Sequence, residues 1–147
     1  MPPTTRRDLA QLLLPALLAT PTLEAATVMQ QTLPSAAFPF DQLPAKTNEK
    51  NGNIGRQVLD GLTHSGYLVE VHLTELSPGE APHPPHHHIH EEMVMMVRGS
   101  LEVTIGGKST RLGPAGSAYV ASNVEHGWRN VGSDRALYFV LALGKDS

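Results

Sequence analysis

Pro84-Pro85-His86-His87-His88-Ile89-His90-Glu91-Glu92, continued by Met93-Val94-Met95-Met96-Val97-Arg98-Gly99, is the stretch from which the rest of the chain can be read. On an extended backbone successive side chains alternate faces, so His86 and His88 point the same way. Glu92 shares their parity and can swing its carboxylate to the same point. Neutral imidazole and carboxylate suit divalent Fe, Mn, Ni, Zn or Cu. His83 and His87 have the other parity and merely share the neighbourhood. His90 has the parity of a supporting residue or a substitute ligand, while Glu91 faces away as a surface charge. Met93 to Val97 is a β-prone run. With Glu92 facing the interior, Val94 and Met96 do too and line an apolar pocket. Met93, Met95 and Val97 then take the opposite face, against a second sheet or a partner subunit.

Working outward, the same period of two recurs between turn signals. Tyr67, Val69, Val71 and Leu73 alternate with Glu70, His72 and Thr74, up to Ser77-Pro78-Gly79. Leu101, Val103 and Ile105 alternate with Glu102 and Thr104, up to Gly106-Gly107. Ala118 to Ala121 follows Gly113-Pro114 and Gly116. Leu137, Phe139, Leu141 and Leu143 make a last strand after Gly132-Ser133-Asp134. No helical period of useful length follows residue 26, and no repeat is visible. Short strands about ten residues apart predict an all-β antiparallel sandwich or barrel. His64 and His72 read as ordinary surface or strand residues, and Tyr119 and Trp128 as packing residues at the pocket edge.

Composition narrows the function classes. The 147 residues make one domain of ordinary size, with 17% charged residues, 13 Gly and 12 Pro. A net charge of −3 without a basic stripe argues against nucleic acid as a partner. There is no cysteine, so disulfides, Fe–S clusters and thiolate zinc sites are excluded, and any metal has N and O ligands.

Residues 1–26 differ from the rest. Thr5-Arg6-Arg7-Asp8-Leu9 precedes an apolar run from Leu12 to Ala19, broken only by Pro15, and then Ala25-Ala26-Thr27. A basic start, a short apolar stretch and small residues make an export signal too short for a membrane span. The paired arginines resemble a twin-arginine (Tat) signal, although Gln11 stands near where Lys is usual. A periplasmic or secreted location is expected, after folding and metal loading in the cytoplasm. Residues 27–50 read as a polar arm whose Phe38 and Phe40 dock on the domain or on a partner, and 51–147 as the domain proper.

Taken together, these segments resemble the two motifs of the cupin superfamily. Gly79, His86-x-His88, Glu92 and Gly99 follow the first motif, with one extra residue after Gly79. Gly116 and His126-Gly127-Trp128-Arg129-Asn130 follow the second, which has Ala121-Ser122-Asn123 in place of Pro-x-Gly and is one residue short before His126. Asn tolerates the backbone geometry that Gly supplies, so these departures fall in turn chemistry. The resemblance implies a double-stranded β-helix, the jelly-roll barrel. It also implies one divalent transition metal ion held by His86, His88, Glu92 and His126, and a homodimer. Asn130 reads as a turn-fixing hydrogen bonder.

Three neutral imidazoles and one carboxylate leave a divalent ion near +1, with open positions for water, O2 or a chelating substrate. Metal cupins include dioxygenases, isomerases, decarboxylases and non-enzymatic binders, so the fold does not select a reaction. One expectation is an exported metal-dependent enzyme on a small organic molecule, with O2-dependent oxidation favoured and Glu92 as a proton shuttle. The other is a non-catalytic cupin that binds or senses a metal or small ligand.

Overall fold

Gly and Pro turns cut the chain into short strands, and the pattern of buried side chains decides how those strands layer. A computed structural model describes residues 32–144; the expected export signal lies outside them. The strands are β1 Lys46–Thr47, β2 Ile54–Leu62, β3 Leu68–Leu76, β4 Glu91–Arg98, β5 Leu101–Ile105, β6 Lys108–Leu112, β7 Ser117–Val120, β8 His126–Asn130 and β9 Ala136–Leu143. They form a six-stranded sheet ordered β1-β2-β3-β9-β4-β7 and a three-stranded sheet ordered β6-β5-β8. Every strand pairing in both sheets is antiparallel. This is the antiparallel sandwich expected from the alternation, and it fits the jelly roll that the resemblance implies. The only helical element among the described residues is a 3-10 turn at Phe40–Gln42.

The core lies between the sheets. Val94, Met96, Leu76, Tyr138 and Val140 from the large sheet meet Leu101, Val103 and Trp128 from the small one. Burial of each such side chain stabilises the fold by about 1.5–3 kcal/mol. Val94 and Met96 face inward with Glu92, as their parity requires.

Of the two covers expected for the opposite face of the large sheet, a second sheet is absent over Met93, Met95 and Val97 among the described residues; the arm covers part of that face. Phe38, Phe40 and Leu43 line an apolar cavity of about 230 Å³ with Leu73, Val97 and Phe139. The last strand is therefore apolar on both faces, with Ala136, Tyr138 and Val140 inside and Leu137 and Phe139 beneath the arm. The arm also adds Lys46 and Thr47 to the sheet edge.

Besides the two-residue β1, three strands escaped the sequence pattern. β2 carries Arg56, Gln57 and Asp60 and a register shift between Gln57 and Leu59, which breaks its alternation. β6 is a solvent-exposed edge, Lys-Ser-Thr-Arg, of the polar kind that disfavours edge-to-edge pairing. β8 reads as a motif rather than a strand because Gly127 interrupts it.

Gly99 and Asn123 hold two turns. Gly99 has φ +83°, and a Cβ there would stand 2.6 Å from the Ala136 Cα, so only glycine fits. Asn123 takes φ +60°, the left-handed geometry expected of it in place of the missing glycine.

Candidate metal centre

Backbone contacts bring the two histidine segments together before any side chain is considered. The Gly79–His86 segment runs beside β8 and is pinned at both ends. At one end the Gly79 N–H donates to the Asn130 carbonyl (3.0 Å) and the Asn130 N–H to that of Glu80 (2.9 Å). At the other the His86 N–H donates to the His126 carbonyl (3.0 Å) and the His126 N–H to that of His86 (2.9 Å). Gly127 makes the approach possible: a Cβ there would meet the Pro85 Cα at 3.2 Å. The Asn130 side chain closes the far end. Its Nδ2 donates to the carbonyls of Leu76 (3.0 Å) and Asp134 (2.8 Å), and its Oδ1 accepts from the Gly132 N–H (2.9 Å).

His86 and His88 converge as their parity predicts, but not because they share a strand. Only His86 pairs, through an isolated bridge, and the chain bends at Ile89–His90 before β4 begins. That bend lets His90 interact with both neighbours. Its carbonyl accepts the His88 Nδ1–H at 2.8 Å, and its ring stacks on the His88 ring at 3.5 Å and 13°. Its Nε2 lies 3.4 Å from Glu92 Oε1.

Carbonyl partners fix the tautomers. His88 Nδ1–H donates to the His90 carbonyl, and His126 Nδ1–H to that of Val124 at 2.8 Å. Each Nε2 is then a lone pair, the ligating form. Both lone pairs point at one oxygen: Glu92 Oε2 is 3.1 Å from His126 Nε2 and 3.4 Å from His88 Nε2. Acceptors facing a carboxylate in a buried site repel unless a cation stands among them. His86 Nδ1 and His88 Nε2 are buried and find no hydrogen-bond partner among the described residues. Burial first, then the positive charges that His83, His126 and His88 would carry, hold the His86 pKa below its ordinary value, against the pull of Glu92. Neutral imidazole is the metal-binding form.

The ligand atoms of His86, His88 and His126 lie within 4.8 Å of one another, and so do those of His88, His90 and Glu92. The structure therefore gathers all four expected ligands, with His90 as a fifth donor beside them. This His/Glu cluster could hold a metal ion, and its N and O donors fit a divalent transition metal. His83 is exposed and packs edge-on against the His86 ring at 4.2 Å, outside both groups. His87 is exposed and belongs to neither.

Trp128 and Tyr119 separate. Trp128 is buried, stacks on the His126 ring at 5.8 Å and donates its Nε1–H to the Tyr138 hydroxyl at 2.8 Å. Burial pushes the Tyr138 pKa far up, so that hydroxyl stays protonated. Tyr119 is 55% exposed and lies on the opposite face of the sheet, level with Met93. Sequence reasoning missed Tyr138, because the strand was recognised by Leu137 and Phe139, which have the opposite parity. It also missed the buried Glu75, which is held by Arg56 and by Arg98 (2.7 Å) on the arm side of the sheet. The one available signal was an acid inside an otherwise apolar strand end.

Comparison with known proteins agrees with this geometry. Residues 72–142 match the family model described as the Cupin domain. No curated protein matches the chain. An RmlC-like cupin from Shewanella frigidimarina shares 19% identity at TM-score 0.60, covering 76% of this chain and 93% of that one. The polyketide cyclase RemF from Streptomyces resistomycificus shares 17% at TM-score 0.61, covering 76% and 81%. The cupin domain of an XRE family transcriptional regulator from Enterobacter cloacae shares 20% at TM-score 0.51, covering 63% and 96%. At these identities the likeness is one of fold. With the matched motif region, the double-sheet topology and the inward His/Glu cluster in agreement, residues 72–142 are a cupin domain.

Proposed function

We propose that this chain is an exported metal-dependent cupin enzyme acting on a small organic molecule, with O2-dependent oxidation of an enol, phenol or thiol as its leading reaction. The observation that carries this reading is the convergence of two buried imidazole lone pairs on Glu92 Oε2, which calls for a cation among His86, His88, Glu92 and His126. A divalent ion there supplies a Lewis acid and, if redox-active, electron transfer to O2. The chain's own residues do the rest. Carbonyl hydrogen bonds orient His88 and His126; Val94 and Met96 keep water from the inner side. In this reading Glu92, whose Oε1 lies 3.4 Å from His90 Nε2, takes and returns a proton as a shuttle.

Export rests on residues 1–26 and places the enzyme in the periplasm or outside the cell; fractionation of cells expressing the full chain tests it. No helix among the described residues is long and apolar enough to cross a membrane. A homodimer is supported by the apolar outer face of the large sheet, where Val97 and Tyr119 are exposed, and light scattering on the purified protein tests that.

A second reading, a non-catalytic binding or sensing cupin, draws on the likeness to a regulator's cupin domain. Oxygen uptake separates the two. Fe- or Ni-loaded protein is expected to consume O2 with at least one member of a panel of diphenols, diketones and thiols. Tight ligand binding without uptake, on a protein that carries Zn, selects the second reading.

A further inference from the structure

The inner face of the large sheet carries a polar pair that the core has no use for. Directly opposed residues of antiparallel strands share a face. Ala142 of β9 opposes Glu70 of β3 on one side and Glu92 of β4 on the other. Val140 likewise lies between His72 and Val94. Val140 and Val94 are core residues, so Glu70 and His72 project to the interior, on the same side as Glu92. Two strand spacings put the Glu70 and Glu92 Cα atoms about 10 Å apart. The small Ala142 is the one side chain between them in that row. The start of β3 also adjoins the histidine segment: Gly144 donates to the Leu68 carbonyl (3.0 Å), and a Cβ on Gly144 would meet the His90 Cα at 3.9 Å.

Glu70 and His72 are bound to each other, with His72 Nδ1 at 3.2 Å from Glu70 Oε1. A carboxylate only accepts, so Nδ1 donates and the neutral ring keeps a lone pair on Nε2. Both side chains are partly open, at 43% and 32%. Beside them His72 and Thr74 line a cavity of about 470 Å³ with Gln57 and Lys46. The pair therefore offers hydrogen-bond acceptors on the face of the sheet that also carries Glu92, two strands away.

We infer that Glu70 and His72 bind the far end of the ligand and select it. That ligand chelates the metal through oxygens at one end and carries an ammonium or hydroxyl donor several ångströms away. The inference rests on the metal-centre reading above and deepens it. Glu70 and His72 act here as specificity residues, and no proton transfer is asked of them.

Two hydroxamates of matched length test this. Full-length protein loaded with Co²⁺ is titrated with butanohydroxamate and with 4-aminobutanohydroxamate, read by the Co²⁺ visible spectrum. The wild type is expected to bind the amine at least about tenfold more tightly, a difference of about 1.4 kcal/mol. Glu70→Gln and His72→Gln are expected to reduce that preference to less than threefold while Co²⁺ stoichiometry and butanohydroxamate affinity stay unchanged. Equal affinity for the two probes in the wild type, or a preference that survives both substitutions, overturns the role of the pair alone. Failure of the wild type to take up Co²⁺ overturns the metal centre and this inference with it.

Discussion

Asn130→Ala removes the clasp that ties β8 to the strands around it. The Asn130 side chain is fully buried and makes three hydrogen bonds, to the carbonyls of Leu76 and Asp134 and from the N–H of Gly132. Water cannot easily replace the first, because Leu76 is fully buried, and a stranded buried acceptor costs about 1–3 kcal/mol. The other two groups lie nearer solvent, and their loss costs about 0.5 kcal/mol each after partial rehydration. The sum is about 2–4 kcal/mol, a large part of the ~5–15 kcal/mol that holds such a domain together. Urea unfolding, followed by Trp128 fluorescence, reads it directly. With a slope of about 2 kcal/mol per molar, the midpoint should fall by about 1–2 M with the slope unchanged. Asn130→Asp keeps the acceptor but sets a charged oxygen against two carbonyls, so it should cost at least as much at neutral pH. A midpoint shift below about 0.5 M for Asn130→Ala would refute the clasp.

Gly99→Ala should destabilise by more than about 2 kcal/mol, since it adds both a positive-φ penalty and a 2.6 Å clash with Ala136, whereas Gly107→Ala, at φ +79° with nothing near its Cβ, should cost about 1 kcal/mol; thermal melts compare the two. Equal costs would remove the steric part of that argument. For metal-free protein the His86 pKa lies below its unfolded value, so the folded state binds fewer protons in the window beneath about 6.5. The stability that His86 contributes is present above that pH and lost as pH falls through the window, and His86→Gln should flatten the urea midpoint there. A His86→Gln profile parallel to the wild type between pH 7 and pH 5 would contradict this.

The legible parts of the fold were those where burial on one face writes a period of two. β3, β4, β5 and β9 were readable because Val, Leu and Met alternate or cluster there, and the inward set Glu92, Val94 and Met96 followed from parity alone. β2 was hidden by its bulge and its charges, β6 because an edge strand has no face to bury, and β8 because function fills it with His, Gly and Asn. The inward face of β9 was not legible for a physical reason: the arm covers its outer side, so both parities are apolar. In the site, spacing brought four donors into view. The bend at Ile89–His90, which turns His90 toward both His88 and Glu92, depends on backbone geometry that spacing does not encode. His72 looked ordinary because its meaning lies in register, two strands from Glu92.

One divalent ion held by His86, His88, Glu92 and His126 is the central expectation for this site. Elemental analysis of protein purified without a His tag tests it most directly, run on the wild type and on His83→Ala, His86→Ala and His126→Ala. One equivalent of a transition metal in the wild type and in His83→Ala, with less than about a tenth of an equivalent in the other two, is the predicted result, since loss of a directly coordinating imidazole is expected to exceed the 10–100-fold weakening typical of outer-shell changes. One equivalent retained in all four proteins, or none in the wild type, would contradict it.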